Sequence, residues 1–163
     1  MKHNLFNVTH LVPCSVILLS AATKTKKDAM TATSMFVAED PALFVVSVAK
    51  NCLTHQLIEE SGEFVLNVAS EDQVKLARAL GATHGSRVDK FKKFRIATEK
   101  ARKVGAPLLK GSFAHLECKV ITSTPLGKYT LFLAEVVDYQ TNEKLAPLAW
   151  QADRYFALKK PTN

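Results

Sequence analysis

Five hydrogen-bonding side chains, Ser47, Lys50, Asn51, Thr54 and His55, crowd into the stretch Ser47-Val48-Ala49-Lys50-Asn51-Cys52-Leu53-Thr54-His55. An apolar, Val-rich run hands over here to a helix-like pattern. Free backbone N–H groups and the positive end of the helix dipole therefore meet at this point. Such a junction suits an anion, and a phosphate in particular, without a glycine-rich loop. Lys50 adds a full positive charge. The plainer reading is a capped helix beside a solvated lysine. A second candidate lies upstream, where Ala29-Met30-Thr31-Ala32-Thr33-Ser34 carries hydroxyls at Thr31, Thr33 and Ser34. Threonines in a strand have an ordinary explanation in β-propensity. With the donor cluster one strand away, the same stretch becomes a candidate binding edge whose small side chains leave backbone amides within reach.

Other chemistries find little support. The histidines at 3, 10, 55, 84 and 115 have no metal-ligand spacing, and no metal site is expected. His55 taken alone reads as a packed or surface residue as readily as a ligand. There is no GxSxG and no GxGxxG, which removes the basis for a hydrolase or a Rossmann fold. Cys14, Cys52 and Cys118 are odd in number and form no CxxC, so no disulfide framework is expected. Each has the apolar neighbours of a buried, inert thiol. Cys52 also falls at a helix start, where its pKa could be lowered. Trp150 and Tyr155 bracket Gln151–Arg154 as a core or interface pair.

The chain of 163 residues suits a single domain spanning 1–163, large enough to need no disulfide or metal staple. Nine basic residues and only two acidic ones lie between Ser86 and Lys110, a surplus that equals the whole net charge of +7. Such a patch suits a phosphorylated ligand, a dinucleotide or a nucleic acid, or is simply a solvated face. No RNP-like aromatic motif accompanies it, and no nucleic-acid partner is expected. The apolar run Leu11–Ala22 after Lys2 has the outline of a signal peptide. Pro13 opens it and polar residues separate it from the charge, so Cys14–Ala22 reads instead as a buried strand. Nothing else has the length of a membrane span, and a cytoplasmic location is expected.

These groups must be positioned by alternating strands and short helices. Strands are expected at Cys14–Ala22, Thr31–Ala38 and Ala42–Ala49, with Asp40-Pro41 turning between the last two. Asn51 is expected to cap a helix running to Glu60, ended by Ser61-Gly62. Phe64–Val68 reads as a strand, and Ser70 as the cap of a second helix through Leu80. Gly81–Asp89 reads as a loop. Ser112–Ser123 and Tyr129–Tyr139 form a hairpin around Pro125-Leu126-Gly127, and Pro147–Trp150 and Tyr155–Leu158 are short final strands. Antiparallel strands with two helices inserted midway imply a mainly β fold, a barrel with flanking helices.

From about Pro13 to Leu158 the chain resembles the flavin reductase-like family. The resemblance rests on Ala29–Ser34, Asp40-Pro41, the Val45–Val48 strand and Thr54–Asn67 (THQLIEESGEFVLN). It continues through Ser86–Phe91 (SRVDKF), Gly105–Leu109 (GAPLL), Leu116–Val120 and Pro147–Trp150 with Arg154-Tyr155. The resemblance implies a split β-barrel of the FMN-binding type and a homodimer. It implies FMN as cofactor, with FAD less suited because the donor cluster is sized for one phosphate, and NAD(P)H as co-substrate. Ala29, Met30, Thr31, Ala32 and Thr33 would lie along the isoalloxazine edge. Ser47, Val48, Ala49, Lys50, Asn51, Thr54 and His55 would hold the ribityl chain and phosphate. Asp89, Lys90 and Phe91 would sit on a loop closing over the flavin, and Trp150 could cover the ring. Two positions depart from the pattern. Gly127-Lys128-Tyr129 stands where many reductases have Gly-Asp-His near the nicotinamide, which implies the alternative of an FMN-carrying electron-transfer protein without its own NAD(P)H oxidation. Ala152-Asp153 replaces the usual glycine before Arg154-Tyr155, which implies a different local turn.

Overall fold

The apolar run after Pro13 is a strand at the centre of the molecule. The computed structural model describes residues 5–159. A 3-10 turn at Leu5–Leu11 precedes β1 (Cys14–Ser15) and β2 (Ile17–Ala22). β2 pairs with strands on both sides and is buried almost end to end, which is why it reads as a continuous apolar run. β3 (Lys27–Ala32) and β4 (Ser34–Glu39) follow, then β5 (Ala42–Ala49), α1 (Leu53–Ser61) and β6 (Glu63–Val68). Next come α2 (Val74–Gly81), α3 (Lys90–Lys93), β7 (Thr98–Glu99) and β8 (Leu108–Leu109). The chain ends with the hairpin of β9 (Ala114–Leu126) and β10 (Tyr129–Thr141), then β11 (Leu148–Gln151) and β12 (Arg154–Ala157).

Seven strands form one antiparallel sheet in the order β3-β2-β6-β9-β10-β5-β4. β3 and β4 stand at its opposite ends, yet only Thr33 separates them in sequence. One extended residue reaches about 3.5 Å, so the sheet must curl until its two edges meet. They meet without pairing to each other, which makes the barrel split. The seam is held by Ser15, whose hydroxyl donates to the Ser34 carbonyl at 3.0 Å. A second sheet, β1-β11-β12, is tied to the barrel by backbone bonds from Val16 to Leu148, Leu148 to Ala69 and Ala69 to Val16.

The period-two alternation of strands divides β2 between two cores. Ile17, Leu19 and Ala21 point into the barrel with Val46, Val48, Phe64, Leu66 and Phe132, closed by Leu57 and Ile58 of α1. Val16 and Leu18 face the other way, onto Ala77 and Leu80 of α2, Phe91, Leu109 and Leu148. Among the described residues no helix is long and apolar enough to cross a membrane.

The structure corrects several boundaries. The strand expected at Thr31–Ala38 is two strands broken at Thr33. The helix cap is Cys52 rather than Asn51, and no side chain bonds to the open N–H groups of α1. Gly62 ends α1 as expected, at φ 68° with its N–H on the Ile58 carbonyl. The helix expected from Ser70 begins as a 3-10 turn, Glu71–Gln73, with Ser70 and Gln73 forming a capping box. The β11–β12 turn takes left-handed backbone without a glycine. Ala152 and Asp153 adopt φ values of 49° and 61°. A Cβ in that region is strained by roughly 1–2 kcal/mol. Ala152→Gly should therefore stabilise the protein by about 0.5–1 kcal/mol once the extra chain entropy of glycine is subtracted. A urea unfolding midpoint at or below that of the unmodified protein would contradict this account of the turn.

Candidate functional site

β3 has a partner only on its β2 side, so half of its backbone groups open onto the seam. Two adjoining hollows lie along this edge, and Thr31 lines both. One is polar. Its walls are Asp28, Met30 and Thr31 of β3, Asn51–Leu53 at the start of α1, Leu80-Gly81 at the end of α2, the loop Thr83–Ser86, and Lys90. The other holds about 210 Å³ and is mostly apolar, formed by Ser15, Val16, Thr31, Ala32, Thr33, Trp150 and Tyr155. Trp150 is steadied edge-on by His10, with ring centroids 5.1 Å apart. Arg78 lies over the Tyr155 ring at 5.4 Å.

The polar hollow is fitted for an anion. The first N–H groups of α1 have no intrahelical acceptor and no capping side chain, and Cys52 and Leu53 bring them to the cavity wall. Asn51, Thr83 and Ser86 add neutral donors, and His84 adds an imidazole. Thr31 is not free to join them, because its hydroxyl donates to the Ala77 carbonyl at 2.5 Å and so docks α2 against β3.

Beneath this hollow lies a buried ion pair. Lys90 and Asp28 have side chains only 3% exposed, and the ammonium sits 3.1 Å and 3.2 Å from the two carboxylate oxygens. Lys90 also donates to the Ala29 carbonyl at 2.6 Å, and Thr54 donates to Asp28 at 2.7 Å. Every polar atom of the pair is thus hydrogen-bonded, as a buried pair requires.

The expected site residues divide accordingly. Met30, Thr31, Ala32 and Thr33 line the hollows, as do Asn51 and Lys90. Ala29 is buried on the same edge and contributes its carbonyl to Lys90. Lys50 is exposed at the turn between β5 and α1, where its N–H bonds to the Lys128 carbonyl. Ser47 is exposed on β5, Val48 is buried in the barrel core, and Ala49 pairs with Tyr129. Thr54 supports Asp28 from below. His55 lines neither hollow. Its Nε2 lies 2.8 Å from the Thr130 hydroxyl and its ring packs on Phe132. Asp89, Lys90 and Phe91 form no open flap. Asp89 caps α3 through the Lys92 N–H, Lys90 is spent on Asp28, and Phe91 is 6% exposed in the second core with the Lys27 ammonium over its ring. Sequence reasoning missed Asp28, Leu80-Gly81 and Thr83–Ser86. The run Thr83-His84-Gly85-Ser86, a cluster of donors and glycine directly after a helix, was the available signal for the last.

Cys52 does not have the lowered pKa that a helix start suggested. Burial pushes its thiol up, and of the nearby charges Lys90 opposes this while Asp28 adds to it. In the basic stretch 86–110, Lys90 is buried against Asp28, whereas Lys92, Arg102 and Lys110 stay exposed while pairing with Asp89, Asp138 and Glu99.

A model of the flavin reductase like domain matches residues 9–159. The chain belongs to that family. It is 33% identical to an Archaeoglobus fulgidus protein over 60% of this chain, and spans only 55% of that relative's length. It is 29% identical to the NADH-dependent FMN reductase AsuE2 of Streptomyces nodosus subsp. asukaensis, over 93% of this chain and 82% of that protein. Among solved structures, the NADH:FAD oxidoreductase SgcE6 of Streptomyces globisporus C-1027 superimposes with a TM-score of 0.86 at 25% identity, covering 96% of this chain and 92% of that one.

His55 gives a pH test of the packing beside the site. Burial pushes its imidazole below the ordinary value of 6.5, with Glu59 opposing and Lys50 adding. A histidine whose folded pKa is depressed binds its proton less readily when folded. It therefore contributes stability above its unfolded pKa and loses that contribution as pH falls through the folded one. Stability should drop between pH 7.5 and 5.5, and His55→Gln should flatten that drop. Equal slopes of unfolding free energy against pH in the two proteins would refute the assignment.

Proposed function

We propose that the chain binds FMN along the β3 edge and acts as a flavin reductase, an oxidoreductase that reduces its flavin with NAD(P)H. The observation that carries this reading is the pair of hollows that share Thr31, one richer in polar groups and the other mostly apolar with two aromatic side chains in its wall. An FMN molecule has the same polarity order, a phosphate on a polyol tail leading to an aromatic ring. Thr83–Ser86, Asn51 and the N-terminus of α1 are suited to the phosphate, with Lys50 adding charge at the rim. The open backbone edge of Thr31–Thr33 is suited to the polar atoms of the ring, and Trp150 and Tyr155 to its apolar face. Among the described residues the two joined hollows offer one wall of this kind, which favours FMN over FAD. The flavin supplies the hydride chemistry; the protein supplies position and field.

One observation favours a second reading, an FMN-carrying electron-transfer protein without nicotinamide oxidation. Tyr129 follows the hairpin turn beside the β5–α1 junction, half exposed, and brings a phenol with no positive charge near neutral pH. A histidine in that place can donate to, and when protonated attract, a phosphate-bearing nucleotide.

Anaerobic titration decides between them. The purified protein should bind FMN more tightly than FAD, and NADH or NADPH should bleach the flavin band. If the unmodified protein binds FMN but is reduced slowly, Tyr129→His should accelerate reduction. FMN binding with no reduction in either protein would select the second reading, and failure to bind any flavin would reject both.

We further propose that the protein is a homodimer. β4 is an edge strand, and it exposes Met35 (64%), Phe36 (60%) and Val37 (51%). A row of this kind invites a partner. Light scattering should give about twice the chain mass of 18.0 kDa. A value near one chain mass with flavin bound would reject the dimer.

A further inference from the structure

We propose that the Asp28–Lys90 pair is the positioning element of the phosphate end, holding the Thr83–Ser86 loop at its working distance and cancelling a negative charge that would repel the anion. This inference rests on the flavin-binding reading above.

The loop rests directly on the carboxylate. A Cβ built on Gly85 would overlap all three carboxylate atoms of Asp28. The Gly85 backbone is not in the left-handed region, so glycine is needed here for room alone. Thr83, His84 and Ser86 flank Gly85 and form one wall of the polar hollow. Four segments therefore meet at a single carboxylate: β3 supplies it, Thr54 of α1 donates to it, Lys90 of α3 is ion-paired with it, and the loop lies against it.

Asp28 itself lines the hollow. A bare carboxylate in a wall meant for phosphate would oppose binding, and at short range in a partly desolvated site that repulsion is large. Lys90 removes it by direct contact with both oxygens. The ammonium has a second bond to the Ala29 carbonyl, which fixes it in place. Its remaining role is to leave the hollow neutral on that side, so that the helix N-terminus and the loop donors set its preference for anions.

The test compares FMN with riboflavin, which shares the ring and polyol but lacks the phosphate. The unmodified protein should bind FMN more tightly. Lys90→Met should weaken FMN about tenfold or more, because it leaves the Asp28 carboxylate without its cation, while changing riboflavin affinity by less than about threefold. The double variant Asp28→Asn with Lys90→Met keeps the shape under Gly85 and removes both charges, and it should restore most of the FMN affinity. Should Lys90→Met fail to fold, Gly85→Ala gives the same comparison, because lifting the loop off the carboxylate should weaken FMN and spare riboflavin. An FMN preference unchanged by Lys90→Met, equal losses for both ligands, or no restoration in the double variant would overturn this inference and leave the flavin-binding reading intact. Equal affinity of the unmodified protein for FMN and riboflavin would instead overturn the phosphate placement, and this inference with it.

Discussion

The connection between β3 and β4 governs this molecule. Two strands at opposite edges of a seven-stranded sheet are joined through one residue, Thr33. No flat sheet can satisfy that, because its edges would stand far beyond the reach of one residue: six interstrand spacings of about 4.8 Å each separate them. The sheet must roll, and rolling gathers its inner faces around Phe64, Phe132 and Leu19 into one core. It also creates the seam. A strand pair joined by a full turn could have closed the ladder, whereas a one-residue step cannot reverse the chain and leaves β4 running on from the end of β3 with no ladder between them. The open backbone edge that borders both hollows is the consequence of the same step that closes the fold.

An open edge must be covered without being blocked. α2 is fixed to β3 by the bond from Thr31 to the Ala77 carbonyl, and α3 by Lys90 on Asp28 and Ala29. Both attachments approach from one side and leave the stretch from Thr31 to Thr33 to the β11–β12 hairpin, whose Trp150 and Tyr155 face it across the apolar hollow. The buried pair is costly to assemble, since each charge must leave water. Its geometry offsets that cost by giving every oxygen and the ammonium a partner, and it places an ion pair with no net charge in the wall of the hollow.

Most strands were legible because their physics is local. Ala42–Ala49 is an unbroken apolar run between a proline turn and a cluster of donors, and its limits agree with the structure. Gly62 and Ser70 mark helix ends through backbone preferences that depend on few neighbours. What could not be read locally was the fate of charges. Lys90 sits in a basic stretch and looks solvated, yet its partner Asp28 is 62 residues away. The resemblance put Asp89, Lys90 and Phe91 on a loop closing over the flavin, whereas here their side chains serve as a helix cap, an ion pair and a core contact. His55 was drawn toward the site by its neighbours in sequence, but α1 turns it onto Thr130 and Phe132 of β10. The break at Thr33 was hidden for the opposite reason. The run Thr31–Ala38 has strand propensity throughout, and only the pairing partners on either side reveal that it changes edges.

The seam also explains why the exposed face of β4 carries what a lone domain would avoid. An edge strand in a soluble protein is ordinarily blunted by charge or proline. Here Met35, Phe36 and Val37 stand exposed in succession, and Glu39 is the only charge on the strand. Thr33 joins β4 to the end of β3, so the apolar row that starts at Met35 lies close in sequence to Thr33 in the wall of the cleft. A second copy covering that surface would bury the edge and stand beside the ring end of the site. The short step at Thr33 sets the curvature of the barrel and the opening of the cleft, and it also puts the exposed apolar row of β4 beside the end of that cleft.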